Sequence, residues 1–232
     1  MARQPPSPVT VAILPVKRFG AAKVRLGDEL SGGTKRALAE AMMTDVLMAL
    51  RRTKAVSEVL LVTSEPAAEA IGRGYGANVL YDDRDSGQSP ATLIGVDHAI
   101  ESGATRVLLV PGDCPALDPA ELEELLDRSD DQPSVVIVPD RHGSGTNALL
   151  LTPPDVIEPA FGPDSRSRHE QAAAAAGVAC TVEIVATLAL DVDTSEDLAA
   201  LRTALAERRG GAAHTRGMLS RLAGTRKTSP AE

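Results

Sequence analysis

Aromatic side chains are almost absent from this chain of 232 residues, which has two Phe, two Tyr and no Trp. A platform on which successive bases of single-stranded nucleic acid could stack is therefore excluded, and aliphatic residues must fill the core. Thiols are equally scarce. Cys114 and Cys180 stand far apart without a Cys-x-x-Cys pattern, which excludes a zinc site built on thiolates and suits a reducing cytosol. No apolar run approaches the ~20 residues of a membrane span, and nothing resembles a signal peptide, so a cytoplasmic location without membrane contact is expected.

Positive charge is also in deficit. The formal net charge is −8, yet residues 207–232 carry six Lys or Arg against two acids, a net +4 that leaves −12 for the remainder. Such an acidic body argues against nonspecific binding to nucleic acid. Any polyanion the protein does bind has to be met locally, by a basic loop or by metal ions.

What the chain does have is aliphatic residues in short, regularly spaced runs. Hydrophobic residues make up 43% of the sequence, enough for one large α/β domain. Strands are predicted over 11–16, 56–63, 77–81, 105–110, 134–138, 146–151, 178–185 and 187–192, with helices between most of them. That alternation predicts a mixed, mostly parallel central sheet flanked by helices on both faces. Three prolines in residues 1–8 suggest a flexible N-terminal arm, residues 9–208 the folded domain, and residues 209–232 a disordered basic tail. Thr34 is expected to cap the first helix, Asp164 or Ser165 the helix over 166–176, and Thr194 to start a closing helix to about Arg208.

Two glycine motifs fail on context. Gly72-Arg73-Gly74-Tyr75-Gly76-Ala77 matches a dinucleotide fingerprint, but it follows a helix and precedes a strand, the reverse of the required order, and so reads as a helix end and turn. The run from Gly27 to Thr34 has Gly33 where a phosphate-binding loop needs lysine.

The chemistry begins at the first strand. Val11-Ala12-Ile13-Leu14-Pro15-Val16 reads as buried, and Lys17, Arg18, Lys23 and Arg25 follow within nine positions. In an open α/β sheet the carboxyl ends of the strands face the ligand, so this loop suits a strongly anionic one such as a nucleoside triphosphate. Asp113 falls at the end of another strand and shares that edge. Asp191-Val192-Asp193 alternates, so on a strand both acids face one side, about 6.6 Å apart at ~3.3 Å per residue. Together the three carboxylates can hold Mg2+, which prefers oxygen ligands and completes its shell with water and phosphates. Asp193 as a plain helix cap is the competing reading. If a second phosphorylated molecule attacks the triphosphate, two polyanions meet. Each pair of unit charges 4 Å apart costs ~1 kcal/mol in water and ~4 kcal/mol near a protein surface. The basic loop and metal-bearing acids offset that repulsion, and no side-chain nucleophile is needed. His142 and His169 are candidate substrate contacts, though each reads more readily as a loop or helix-surface residue, and Cys114 reads as packing.

Five motifs in order carry a family resemblance: Leu14 to Phe19 with Ala22 to Leu26, Gly112-Asp113-Cys114-Pro115-Ala116-Leu117, Gly145-Thr146, Phe161-Gly162-Pro163-Asp164-Ser165 with His169, and Asp191-Val192-Asp193-Thr194. Over about residues 9–205 the chain resembles the guanylyltransferases of coenzyme F(420) biosynthesis, which use phosphoenolpyruvate or 2-phospho-L-lactate. The resemblance implies a single-domain nucleotidyltransferase fold, glycosyltransferase-A-like and Rossmann-like. It implies attack of the acceptor phosphate on the α-phosphorus of GTP, with release of pyrophosphate. Thr146, Gly162 and Ser165 would then bind phosphoenolpyruvate, Asp113, Asp191 and Asp193 would hold Mg2+, and Lys17, Lys23 and Arg25 would grip the triphosphate beside Arg18. Where relatives often carry Leu-Asn, this chain has Gly87-Gln88-Ser89-Pro90, which puts Gln88 and Ser89 at the nucleobase and leaves guanine preference open. Within the family that the chain resembles, an Ala- and Arg-rich composition goes with the phosphoenolpyruvate variant, so the resemblance implies that acceptor over phospholactate. A downstream acceptor ligase is the implied functional partner, and a homo-oligomer stays open. A nucleotide-sugar glycosyltransferase, which also uses an Asp-x-Asp metal motif, and a non-catalytic nucleotide-binding module are the alternatives.

Overall fold

The computed structural model of the chain describes residues 8–19, 26, 30–83, 87–128 and 132–226. Their order is β1 (Thr10–Val16), α1 (Gly32–Arg52), β2 (Glu58–Thr63), α2 (Pro66–Gly74), β3 (Asn78–Tyr81), α3 (Gln88–Glu101), β4 (Arg106–Leu109), α4 (Pro119–Arg128), β5 (Ser134–Pro139), β6 (Thr146–Thr152), α5 (Ser165–Ala176), β7 (Ala179–Val182), α6 (Ser195–Glu207) and α7 (Ala213–Arg226). The strands form one seven-stranded sheet in the order β3-β2-β1-β4-β6-β5-β7. Only β6 runs against the others, pairing antiparallel with β4 and β5, while the remaining pairs are parallel. The start of β6 therefore lies at the edge where all other strands end, beside the ends of β4 and β5.

Strand alternation sorts the core into two layers. Ala12, Leu14, Leu61, Leu108, Val136 and Leu150 point to the face covered by α1, α2 and α4. Val11, Ile13, Leu60, Leu109, Ile137 and Leu149 point to the face covered by α3 and α5. On that second face α3 comes so close that a Cβ on Gly95 would stand 2.5 Å from Ile13 Cγ2, so the position requires glycine. The turn expected at Gly72–Ala77 is present: Gly76 has φ +76° and Ala77 N–H donates to Gly72 O at 2.9 Å.

A third apolar cluster changes the reading of the C-terminus. Leu38 and Met42 of α1 meet Leu198, Leu201 and Leu205 of α6 and Met218 and Leu219 of α7. Residues 213–226, expected to belong to a disordered tail, form a docked helix instead. Its apolar content is thin, with Gly217 in the middle and only a few aliphatic residues, so local pattern does not announce it. A buried carboxylate 170 residues away supplies what is missing: Asp45 accepts from the N–H groups of His214 at 3.1 Å and Thr215 at 2.7 Å, at the positive end of the helix.

Three further expectations change. Ser31, not Thr34, caps α1, accepting from Thr34 N–H at 3.2 Å. The segment 187–192 is not a strand; Leu188 and Val192 are buried, which mimics strand alternation, but the segment turns at Val185 and crosses the sheet edge as a loop. The strand predicted over 178–185 shortens to β7.

The α7 clamp is testable. Asp45→Ala should lower the unfolding free energy by about 1–2 kcal/mol, the cost of an emptied helix cap, read by urea titration. It should also expose the 208–212 link to proteolysis, with Asp45→Asn showing a smaller loss.

Candidate functional site

The first wall of the site starts at β1. Thr63 Oγ1 donates to Val16 O at 2.7 Å and fixes the strand end, after which Lys17 and Arg18 are exposed. Phe19 then turns inward and is buried. Its N–H donates to Glu65 Oε2 at 3.1 Å, while Glu65 Oε1 accepts from Arg36 Nη2 at 3.0 Å. The buried Glu65 thus pins the start of the basic loop from β2, the neighbouring strand. Lys17 and Arg18 arrive at the expected edge. Lys23 and Arg25 lie outside the described residues.

The acids form the second wall. Asp113 follows β4, and its carbonyl accepts from Val192 N–H at 3.2 Å, drawing the 191–193 loop to the end of that strand. The Asp191 carboxyl is pushed above the ordinary carboxylate range, first by burial and next by the charge of Asp113. The Asn147 amide opposes that rise, and Asp193 adds to it. The three predicted acids are thus brought within electrostatic reach of one another, though from a loop and a turn rather than from the side of a strand. Among the described residues, no group of three or more His, Cys, Asp or Glu side chains is gathered tightly enough to hold a metal ion unaided.

Several residues that motif reading missed hold the acid loop in place. Asn147 Nδ2 donates to Asp191 Oδ1 at 3.1 Å and to Leu188 O at 2.7 Å. Asp197 Oδ2 accepts from the N–H of Asp193 at 3.1 Å and of Thr194 at 2.8 Å, and Thr194 Oγ1 completes a capping box with Asp197 N–H. The helix cap is therefore Thr194, and Asp193 is released from that role. Arg141 Nη2 pairs with Asp197 Oδ1 at 2.7 Å. Burial works against the Asp197 charge, but the Thr194 hydroxyl, the two backbone N–H groups and Arg141 together hold its carboxyl below the ordinary range. The spacing Thr194-x-x-Asp197 was a signal available in the sequence; the Asn147 and Arg141 contacts, 44 and 56 residues distant from their partners, were not.

The third wall is built from β6 and α5. Asp140 Oδ1 accepts from the N–H of Ser144 at 3.0 Å and of Gly145 at 3.1 Å, folding the β5–β6 turn so that Thr146 opens β6. Arg166 N–H donates to Ser144 O at 3.2 Å, which seats the start of α5 against that turn. Gly162 has φ +115° and accepts from Ser165 N–H at 3.1 Å. Asp164 occupies the cap position of α5 with φ 53° and makes no side-chain cap, contrary to expectation. Thr146, Gly162 and Ser165, which the resemblance assigns to the acceptor, thus lie around the β5–β6 turn and the start of α5. Gln88 and Ser89 open α3 beside them, and Ser89 Oγ accepts from Phe161 N–H at 2.9 Å.

His169 departs from the expected surface position. It is fully buried, packs edge-to-face on Phe161 with ring centroids 5.4 Å apart, and bonds both Thr146 and Ala160. Burial, then the charge of Arg168, lowers its pKa to about 4. His142 is exposed, and Cys114 is buried with Sγ on Leu188 O, a packing role as expected.

A mixed α/β sheet with Lys17 and Arg18 at the end of β1, Asp113 after the adjacent β4, and the Asp191–Asp193 loop fastened to it suits a nucleotidyltransferase. Residues 10–223 match the family described as Guanylyl transferase CofC like, and the chain belongs to that family. It is 56% identical over 214 residues, 92% of this chain and 96% of the relative, to a phosphoenolpyruvate guanylyltransferase of Conexibacter woesei. It is 39% identical to one of Rubrobacter xylanophilus, covering 82% of this chain and 92% of the relative. Among solved structures, a putative nucleotide-diphospho-sugar transferase of Desulfovibrio desulfuricans aligns with TM-score 0.71 at 18% identity, over 96% of this chain and 99% of that one. A nucleotidyl transferase of Methanothermobacter thermautotrophicus aligns with TM-score 0.61 at 20% identity, over 84% and 97%. At those identities the structures speak for the fold. Family membership makes the chain an enzyme and sets aside the sugar-transfer and non-catalytic readings. Among the described residues no helix is long and apolar enough to cross a membrane.

The buried histidine gives a pH signature. Its folded-state pKa, about 4, lies below the ordinary 6.5, so between those values the unfolded chain binds more protons. Its contribution is complete above pH 6.5 and declines as the pH falls through that window. Wild-type protein should lose about 2 kcal/mol more unfolding free energy between pH 7 and pH 5 than His169→Leu does, read by urea titration at each pH.

Proposed function

We propose that the protein transfers GMP from GTP to the phosphate of phosphoenolpyruvate, giving enolpyruvyl-diphospho-5'-guanosine and pyrophosphate, as a step of coenzyme F(420) biosynthesis. An acceptor phosphate oxygen attacks the α-phosphorus, and the bond to the β-phosphate oxygen breaks. The observation that carries this reading is the convergence, at one sheet edge, of the Asp113, Asp191 and Asp193 acids with the Thr146, Gly162 and Ser165 cradle. The relatives named for phosphoenolpyruvate support that acceptor over 2-phospho-L-lactate.

In this reading Lys17, Arg18, Lys23 and Arg25 lie along the triphosphate and offset its charge as pyrophosphate departs. Gln88 and Ser89, at the uncapped start of α3, face the nucleobase. Thr146, Ser165 and the backbone at Gly162 hold the acceptor with its phosphate toward the α-phosphorus. The donor set also fits Mg2+. The carboxyl of Asp191 is raised by burial and two neighbouring carboxylates, a repulsion that a hard divalent cation relieves. Magnesium is ordinarily held by one or two carboxylates, with waters and substrate phosphates completing its shell, so no closed protein cage is required. When bound, it would supply further charge neutralisation at the phosphates. A downstream ligase that consumes the activated acid would be the functional partner.

Purified protein given GTP, Mg2+ and phosphoenolpyruvate, with that ligase present to draw off product, should release pyrophosphate. 2-Phospho-L-lactate should support at least about tenfold less, the equivalent of one mismatched acceptor contact. Asp113→Asn should lower turnover by about a hundredfold or more while leaving the circular dichroism spectrum unchanged. No pyrophosphate with either acceptor would refute the reading, and faster turnover of phospholactate, confirmed by product mass, would exchange the acceptor.

A further inference from the structure

We infer that His169 is a positioning residue that sets the polarity of Thr146, leaving the threonine hydroxyl able to donate its hydrogen to the anionic acceptor. The inference rests on the assignment of Thr146 to the acceptor made above. Its warrant is the pair of hydrogen bonds that the imidazole makes at opposite ends of one ring.

A neutral imidazole carries one N–H donor and one bare acceptor nitrogen, and its partners decide which is which. Nε2 of His169 stands 2.9 Å from the backbone N of Ala160. A backbone N–H can only donate, so Nε2 is the acceptor and carries no hydrogen. The hydrogen is therefore on Nδ1, which lies 3.1 Å from Thr146 Oγ1 and donates to it. The hydroxyl gives up a lone pair in that bond and keeps its own hydrogen. Among the described residues nothing else bonds Thr146 Oγ1, although the side chain is buried, only 7% exposed. A buried O–H without an acceptor, at the mouth of β6 beside Ser165 and Gly162, is suited to an arriving phosphate or carboxylate oxygen.

The opposite tautomer would reverse this. With hydrogen on Nε2, two donors would face one another at Ala160, and Thr146 would spend its hydrogen on Nδ1 and present only lone pairs to an anion. The surroundings protect the working state. Phe161 packs edge-to-face against the ring, and Arg168 donates to Ala160 O at 2.9 Å, holding the next peptide group along the same loop. A single imidazole thereby connects the two parts of the acceptor cradle, Thr146 on β6 and the Ala160–Gly162 loop.

The tautomer can be read on the resting wild-type protein by long-range proton–nitrogen correlation of 15N-labelled histidine at pH 7. Hydrogen on Nδ1 and a bare Nε2 are expected for His169; hydrogen on Nε2, or on both, overturns the inference. In kinetics, His169→Asn, whose Nδ2 can stand in for Nδ1–H, should retain a KM for phosphoenolpyruvate close to wild type. His169→Asp, similar in shape but lacking the donor, should raise it by about 10- to 100-fold, the worth of one hydrogen bond to a charged group. The KM for GTP should move by less than about twofold in both. In a Thr146→Val background the two substitutions should become indistinguishable, and an undiminished difference there would overturn the inference. Wild-type protein with the expected tautomer that transfers GMP to neither phosphorylated acid would overturn the acceptor assignment, and with it the role given to His169. An Nε2–H tautomer in an active enzyme would overturn the inference alone.

Discussion

Holding Asp191 in a largely buried position beside Asp113 and Asp193 is unfavourable, and the surrounding structure is arranged to sustain it. Each support comes from a different element. Asn147 on β6 bonds the Asp191 carboxylate directly, the Asp113 carbonyl fastens the loop through Val192, and Asp197 on α6 gathers the N–H groups of Asp193 and Thr194. Arg141, from the β5–β6 turn, in turn fixes Asp197. The loop thus keeps its carboxylates together through the Asn147 amide and backbone contacts.

The opposite wall is organised in a complementary way. There the groups are N–H and O–H donors rather than carboxylates, and α5 and its approach loop set their positions. Consecutive residues of β6 serve both walls: Thr146 bonds His169 and Asn147 bonds Asp191. Because β6 alone is antiparallel, these residues stand at its beginning yet share the edge where the other strands finish. An all-parallel sheet would have placed them at the far end.

Much of this was legible in the chain. The order of strands and helices followed from apolar alternation, and Lys17, Arg18 and Asp113 could be placed because strand ends in an open α/β sheet share an edge. The errors have particular causes. Leu188 and Val192 are buried by packing on the core, so a covering loop imitated a strand. The apolar residues of α7 are too sparse to signal a helix, and its start depends on Asp45 in α1. His169 has polar neighbours along α5 and resembles a surface residue, but its partners are Thr146 and Ala160. The contacts of Asn147, Arg141, Asp45 and His169, remote in sequence, escaped notice, as did some local ones such as the Ser31 cap and the Thr194–Asp197 box, whereas the Gly72–Ala77 turn was readable.

The bond between Ser89 Oγ and Phe161 N–H joins the beginning of α3 to the loop leading into α5, segments 72 residues apart. One of them lines the proposed nucleobase side and the other the acceptor side, so neither is an independent module. Recombining this enzyme with a relative would therefore mean moving both stretches as a matched pair. Altering either by itself leaves an orphaned amide or hydroxyl at the seam between the two substrates.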